Sequence, residues 1–153
     1  MKKKVALVAL ALLAIVSYIL YFGKVYERNY FEKLGIYDLG FNYEEMIKVF
    51  GNPKETYWTE NGFYDAKYDD LIFSYFGDSP EAIVICITVL DEKYKFGWRK
   101  IGVGSSKKEV LRAYRRVKRS PDEGYAFVDG LMWVEFFFDE NDRVKEIMIA
   151  IYS

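Results

Sequence analysis

Two carboxylates, Glu135 and Glu146, occupy positions that could support acid–base chemistry. They lie on the two arms of the stretch Leu131–Tyr152, which is divided by the polar turn Asp139-Glu-Asn-Asp142. β-branched and aromatic residues fill both arms, and the turn residues suit a four-residue hairpin loop. With Phe137 opposite Val144, Glu135 faces Glu146, Trp133 faces Met148 and Leu131 faces Ala150. The other face then pairs Phe136 with Lys145, Val134 with Ile147 and Met132 with Ile149. Directly opposed Cβ atoms are roughly 4.5–5.5 Å apart. Two carboxyls that close split their pKa values, the setting for an acid beside a nucleophile or base. One reading is therefore a hydrolase built on this pair.

Other features weigh against it. Like charges also sit opposite each other on wet sheet faces, where long side chains splay apart. The chain has no histidine, which removes the commonest general base and the commonest metal ligand together. Cys86 is the only cysteine, so an internal disulfide is impossible, and the residue reads as a small apolar filler. Asp139-Glu-Asn-Asp142 lacks the glycine and distal glutamate of a calcium loop, and reads as a turn. The expectation is a chain that is not an enzyme and uses no metal or cofactor.

Two surfaces are better candidates. Phe73, Tyr75, Trp133, Phe137 and Met148 form an expected aromatic face, with Thr88 and Cys86 among them. A large apolar patch of this kind marks an interaction surface, and Trp and Tyr are favoured anchors. The alternative is a face covered by the N-terminal helix or by self-association. The second candidate is a basic stripe, Lys108, Arg112, Arg115 and Arg119, spaced i, i+4, i+7, i+11. Such a stripe suits an anionic surface or an acidic partner, or is the solvated side of an amphipathic helix.

These residues require elements to carry them. Asn42 with Glu45 three residues later makes a capping-box start; Tyr43, Met46, Ile47 and Phe50 form one apolar stripe, and Gly51 and Pro53 end the helix. The pattern returns at Gly104-Ser-Ser-Lys-Lys-Glu-Val-Leu-Arg-Ala-Tyr114, with Ser106 as cap and Glu109 completing the box. Strand signals recur as well. Shifted by about sixty residues, Leu71–Phe76 falls on Leu131–Phe136. That alignment puts Phe73, Tyr75, Cys86 and Thr88 on the amphipathic face, and Ile72, Phe76, Ile85, Ile87 and Val89 on the core face. Glu55–Thr59 and Phe63–Tyr68 read as strands around Glu60-Asn-Gly62, with Tyr125–Val128 as the later counterpart.

The expected fold class is α+β. An N-terminal transmembrane helix is followed by two tandem repeats of one helix plus three or four antiparallel strands, with the helices on one face of the sheet. The divisions are 1–4 as a cytoplasmic basic region, 5–22 as transmembrane signal anchor, 23–39 as helical linker, 40–90 as repeat 1, 91–101 as connector and 102–153 as repeat 2. Val5–Phe22 is eighteen residues without a charge, roughly 27 Å as a helix and enough to cross hydrocarbon. Lys2, Lys3 and Lys4 would hold the N-terminus in the cytoplasm and send the rest outside, as a single-pass protein of the cell membrane. A cleaved signal peptide is the alternative, but no small-residue site follows Phe22.

The motifs Gly-x-Asn/Ser-x-x-Glu-hydrophobic, Phe50-Gly-Asn-Pro53 and a strand opening at Asp-Asp/Gly-Leu resemble the β-lactamase-inhibitor-protein-like repeat. The small outer-membrane assembly lipoproteins of the SmpA/OmlA type share that repeat. The likeness spans about Gly40–Leu90 and Gly104–Tyr152. The chain departs from it in lacking a lipidated cysteine, and in having Tyr114-Arg-Arg-Val117 where the second copy would end in Phe-Gly-x-Pro. The resemblance implies a non-catalytic domain of the cell envelope that binds another envelope or secreted protein across its sheet. Two jobs fit: a scaffold or adaptor, or an inhibitor or immunity-type protein against a secreted enzyme or toxin. With 22 basic and 23 acidic residues and a net charge of −1, a nucleic-acid partner is not expected.

Overall fold

The structure is a computed structural model, and it describes residues 12–15, 17, 40–97, 99–114, 116–129 and 131–151. Two short helices are set against a single broad sheet. Helix α1 is Tyr43–Phe50 and α2 is Lys107–Ala113. Strands β1 (Glu55–Trp58), β2 (Tyr64–Lys67), β3 (Leu71–Phe76) and β4 (Ile83–Val89) come from the first half of the domain. Strands β7 (Lys118–Arg119), β8 (Tyr125–Asp129), β9 (Met132–Phe138) and β10 (Val144–Ile151) come from the second. All eight form one antiparallel sheet in the order β1-β2-β3-β4-β10-β9-β8-β7, with β4 against β10 at its centre. A separate two-stranded ribbon joins β5 (Lys95–Phe96) to β6 (Ile101–Gly102).

This corrects the expected architecture. The described residues form one continuous eight-stranded sheet with few and short helices, and none of those helices is long and apolar enough to cross a membrane. A transmembrane helix, a signal anchor and a single-pass location in the cell membrane therefore have no support in the fold. Of the expected span 5–22, residues 12–15 and 17 are described and helical, while the rest of it, and the linker 23–39, lie outside the described residues.

Both helices start where their caps dictate. The Asn42 side chain accepts from Glu45 N at 2.9 Å, and the Glu45 carboxylate accepts from Asn42 N at 3.0 Å. Ser106 and Glu109 repeat the arrangement, with Ser106 N donating to Glu109 Oε2 at 2.8 Å. Each box satisfies amide groups that the first turn leaves without partners. Gly51, at φ +76°, closes α1. Helix α2 stops at Ala113, because Tyr114 turns extended and its ring stacks on Phe127 and Phe136 at 4.7 and 5.4 Å. The basic stripe is corrected accordingly. Lys108 and Arg112 are exposed on α2, Arg119 is exposed on edge strand β7, and Arg115 lies outside the described residues.

The core fills the space between the helices and one side of the sheet. Met46 of α1, Val110 of α2 and Phe96 and Ile101 of the ribbon pack with Phe73, Ile87, Ile149, Val134, Ile147 and Phe136. Register explains the arrangement. Opposed residues of an antiparallel pair share a face, and one row runs Ala66, Phe73, Ile87, Ile149, Val134, Phe127 across six strands. Phe73 is therefore core, as is Tyr75, opposite Val84 beyond a bulge in β4. The expectation that both belong to the aromatic face with Trp133 is corrected. A one-residue slip in the alignment of β3 moves all its side chains to the opposite side. Ile72 and Phe76, expected in the core, face the other way, with Phe76 67% exposed, and Ile85, also expected in the core, is the bulged residue of β4.

Beyond its bulge the β9–β10 hairpin keeps the expected sides but not the expected partners. Val134 lies opposite Ile149, Phe136 opposite Ile147, Glu135 opposite Met148 and Trp133 opposite Ala150. The loop accounts for the change. Asp139 N donates to Arg143 O and Asp142 N to Asp139 O, Asp142 takes φ +55°, and a bulge at Lys145 offsets the arms. Five loop residues and a bulge shift the pairing by two positions, which preserves the side of each residue from Glu146 onward, whereas Val144, expected opposite Phe137 on the amphipathic face, lies before the bulge and in the core.

Candidate functional site: the open face of the sheet

The side of the sheet away from the helices carries two rows. One runs Tyr57, Asp65, Ser74, Cys86, Ala150, Trp133, Val128. The other runs Lys67, Ile72, Thr88, Met148, Glu135, Ala126, Lys118. None of these residues belongs to the cluster that forms the core. Charge sits toward the outer strands, and the middle is apolar or weakly polar. Trp133, Phe137, Met148, Ile72 and Thr88 are each half-buried there. Of the expected aromatic face, the structure thus brings together Trp133, Phe137 and Met148, and assigns Phe73 and Tyr75 to the core.

Glu135 breaks that apolar middle, and Glu146, opposite Phe137, is a second carboxylate on this side of the sheet. Glu135 is 0% exposed, and its carboxylate accepts from Trp133 Nε1 at 3.0 Å and from the Ser120 hydroxyl. The loop from Ser120 to Gly124 folds over it, closed by Ser120 N donating to Gly124 O at 2.9 Å. Gly124 is required there, since a Cβ would lie 2.8 Å from Glu135 Cγ and closer still to its carboxylate. A buried carboxylate is tolerated when donors converge on it, and these two tie the loop to the sheet and fix the plane of the indole. Glu146 lies opposite Phe137, so the directly opposed carboxylate pair is not formed. The geometry on which a Glu135–Glu146 hydrolase was reasoned is absent.

Cys86 lies in the centre of the open face, between Ser74 and Ala150. Burial pushes its thiol up to about 12, against a smaller opposite effect of the Thr88 hydroxyl. A thiol so held is not a nucleophile at neutral pH. Among the described residues no group of three or more Cys, Asp or Glu side chains could hold a metal ion.

Sequence reasoning missed Ser120 and the loop that covers Glu135, because nothing periodic marks them. It also assigned Ile72 to the core and missed Ser74, both of which lie on this side of the sheet. Ser74, the one polar residue in an otherwise apolar strand, was the available sign of which side of β3 faces outward.

No protein-family model matches the chain, and no curated protein matches it. Its fold is similar to part of an extracellular protein containing a SCP domain from Bacillus anthracis strain Ames, at TM-score 0.59 and 15% identity over 74% of this chain and 44% of that one. It is similar also to part of a cysteine-rich secretory protein from Staphylococcus aureus subsp. aureus Mu50, at TM-score 0.50 and 10% identity over 74% and 43%. A DUF4309 family protein from Bacillus subtilis subsp. subtilis strain 168 aligns at TM-score 0.48 and 12% identity over 72% and 78%. The chain thus spans less than half the length of the first two, and at these identities the likeness is one of fold.

Proposed function

We propose that this chain is a binding module that holds another protein against the open face of its sheet and performs no catalysis of its own. The observation that carries the reading is the apolar surface around Trp133, Met148 and Ile72, partly exposed and separate from the packed core. An apolar patch with an aromatic residue near its centre is the usual composition of a protein-binding surface. One further point supports it. In the two longer solved proteins the shared fold accounts for under half of the chain, as a module joined to other parts would.

Affinity enrichment of the tagged chain, followed by titration of the recovered partner, tests the reading. Met148→Arg places a charge in the middle of the face, and affinity falls roughly thirtyfold or more, the usual consequence of disrupting a central anchor. Leu111→Glu, on the exposed side of α2, leaves it unchanged. Equal loss in both variants, or none in either, would contradict the assignment of the face. An adaptor is recovered within a larger assembly, whereas an inhibitor is recovered in a tight pair with one enzyme or toxin.

A further inference from the structure

On the other side of the sheet, away from the proposed binding face, α1, strands β1–β3 and the loop after β3 line a small, half-open pocket. Its lining is Tyr43, Thr56, Tyr64, Tyr75, Asp78, Ser79 and Pro80, and its volume is about 240 Å³. That is smaller than the pockets that hold drug-sized ligands, and suits a short chain end. The capping residue Asn42 bridges to Ile83 of β4, and Tyr43 N donates to Ala82 O at 2.8 Å, so the start of α1 and the loop before β4 are held as one wall. The rings of Tyr43 and Tyr64 lie 4.9 and 5.7 Å from that of Tyr75.

Tyr75 is 5% exposed, and its hydroxyl has no hydrogen-bond partner among the described residues. Buried polar groups in native proteins almost always have a partner, so a phenol left over in the lining of a cavity points to an occupant. The Tyr43 and Tyr64 hydroxyls are likewise without a protein partner among the described residues. Asp78 stands at the rim, exposed and outside every ion pair among the described residues. The nearest helix residues are acidic at Glu44 and Glu45, and the one lysine on α1, Lys48, is paired with Glu44 at 3.0 Å.

We infer that this cavity binds a primary alkylammonium group. An ammonium offers three N–H donors, which the phenol oxygens and the Asp78 carboxylate can accept, and its charge is favoured by the aromatic faces and the acidic rim. The site is independent of the proposed protein-binding face, so either can fail without the other.

The test is a titration of the full-length chain with n-butylammonium chloride, followed by amide chemical shifts. The amides of Tyr43, Thr56 and Ser79 shift saturably, while 1-butanol, a neutral molecule of the same size, produces no saturable shift. Asp78→Asn and Tyr75→Phe, which conserve shape, each weaken binding about threefold or more, and Met148→Arg leaves it unchanged. A second arm uses lysine blocked at both backbone ends. Shifts with blocked lysine identify a side chain as the source of the ammonium, and shifts with n-butylammonium alone identify a free amine. Equal response to 1-butanol, no saturable shift with n-butylammonium, or undiminished binding by both variants would overturn the inference.

Discussion

The indole of Trp133 donates to the carboxylate of Glu135, two residues along the same strand and on the same side of the sheet, at 3.0 Å. The aromatic residue at the centre of the proposed binding surface is therefore anchored by a buried acid beneath it. Removing the acid disturbs both the loop that covers it and the ring that would meet a partner. Glu135→Ala removes the acceptor of the Ser120 and Trp133 hydrogen bonds, and the expected loss of stability is about 1–3 kcal/mol. Urea denaturation monitored by tryptophan fluorescence measures it. An unchanged midpoint would mean that the two hydrogen bonds contribute nothing net.

Gly124 tests the same construction from the loop side. A methyl group there meets the Glu135 side chain head-on, so Gly124→Ala is expected to destabilise by about 1–3 kcal/mol, the usual effect of overfilling a packed site. Combining it with Glu135→Ala makes room for the methyl, and the double variant should lose less than the sum of the two single ones.

Phe73 and Phe137 separate the two sides of the sheet. Phe73 is 0% exposed in the core, and Phe73→Ala is expected to cost about 3–5 kcal/mol. Phe137 is half-buried on the open face, and Phe137→Ala costs about 1–2 kcal/mol by its smaller burial while weakening partner binding. Thermal and chemical denaturation of both variants distinguishes these outcomes. Equal losses would contradict the assignment of β3.

Asp70 gives the acid limb of stability. Burial by itself would raise its pKa, but hydrogen bonds from Lys93 and Tyr94 outweigh that and hold the carboxyl below its usual value. Because the folded value lies below the unfolded one, this group adds stability above the unfolded carboxylate pKa, and the contribution is lost as pH falls through the folded value. Between about pH 5 and about pH 2, Asp70→Asn should flatten the decline of the urea midpoint. A decline identical to that of the wild type would show that Asp70 has no part in it.

Local signals were legible in the sequence where the chemistry is local. Asn42 with Glu45 and Ser106 with Glu109 marked both helix starts, and the structure shows both boxes closed. The alternation in Val134, Phe136, Ile147 and Ile149 marked the buried side of the last hairpin, and all four are buried. The arrangement of the whole was not legible. Nothing in the strands reveals that they join as one sheet through β4 and β10. The face of β3 was missed because Leu71, Ile72, Phe73, Tyr75 and Phe76 are apolar on both sides, leaving Ser74 as the only indicator. Glu135 was read as an exposed acid opposite Glu146, since the offset of the hairpin depends on a bulge and on one residue at positive φ. The length of α2 was overestimated because Tyr114 leaves the helix to stack in the core, a tertiary demand that outweighs local helical spacing.

The most direct test of the proposed function is hydroxyl-radical footprinting of the chain alone and of the chain bound to its enriched partner. Met148 and Trp133 carry reactive side chains on the open face, and Leu111 and Val49 are exposed on the two helices. The account predicts strong protection of Met148 and Trp133 on binding, with Leu111 and Val49 unchanged. Protection of the helices with Met148 and Trp133 left as reactive as in the free chain would contradict it.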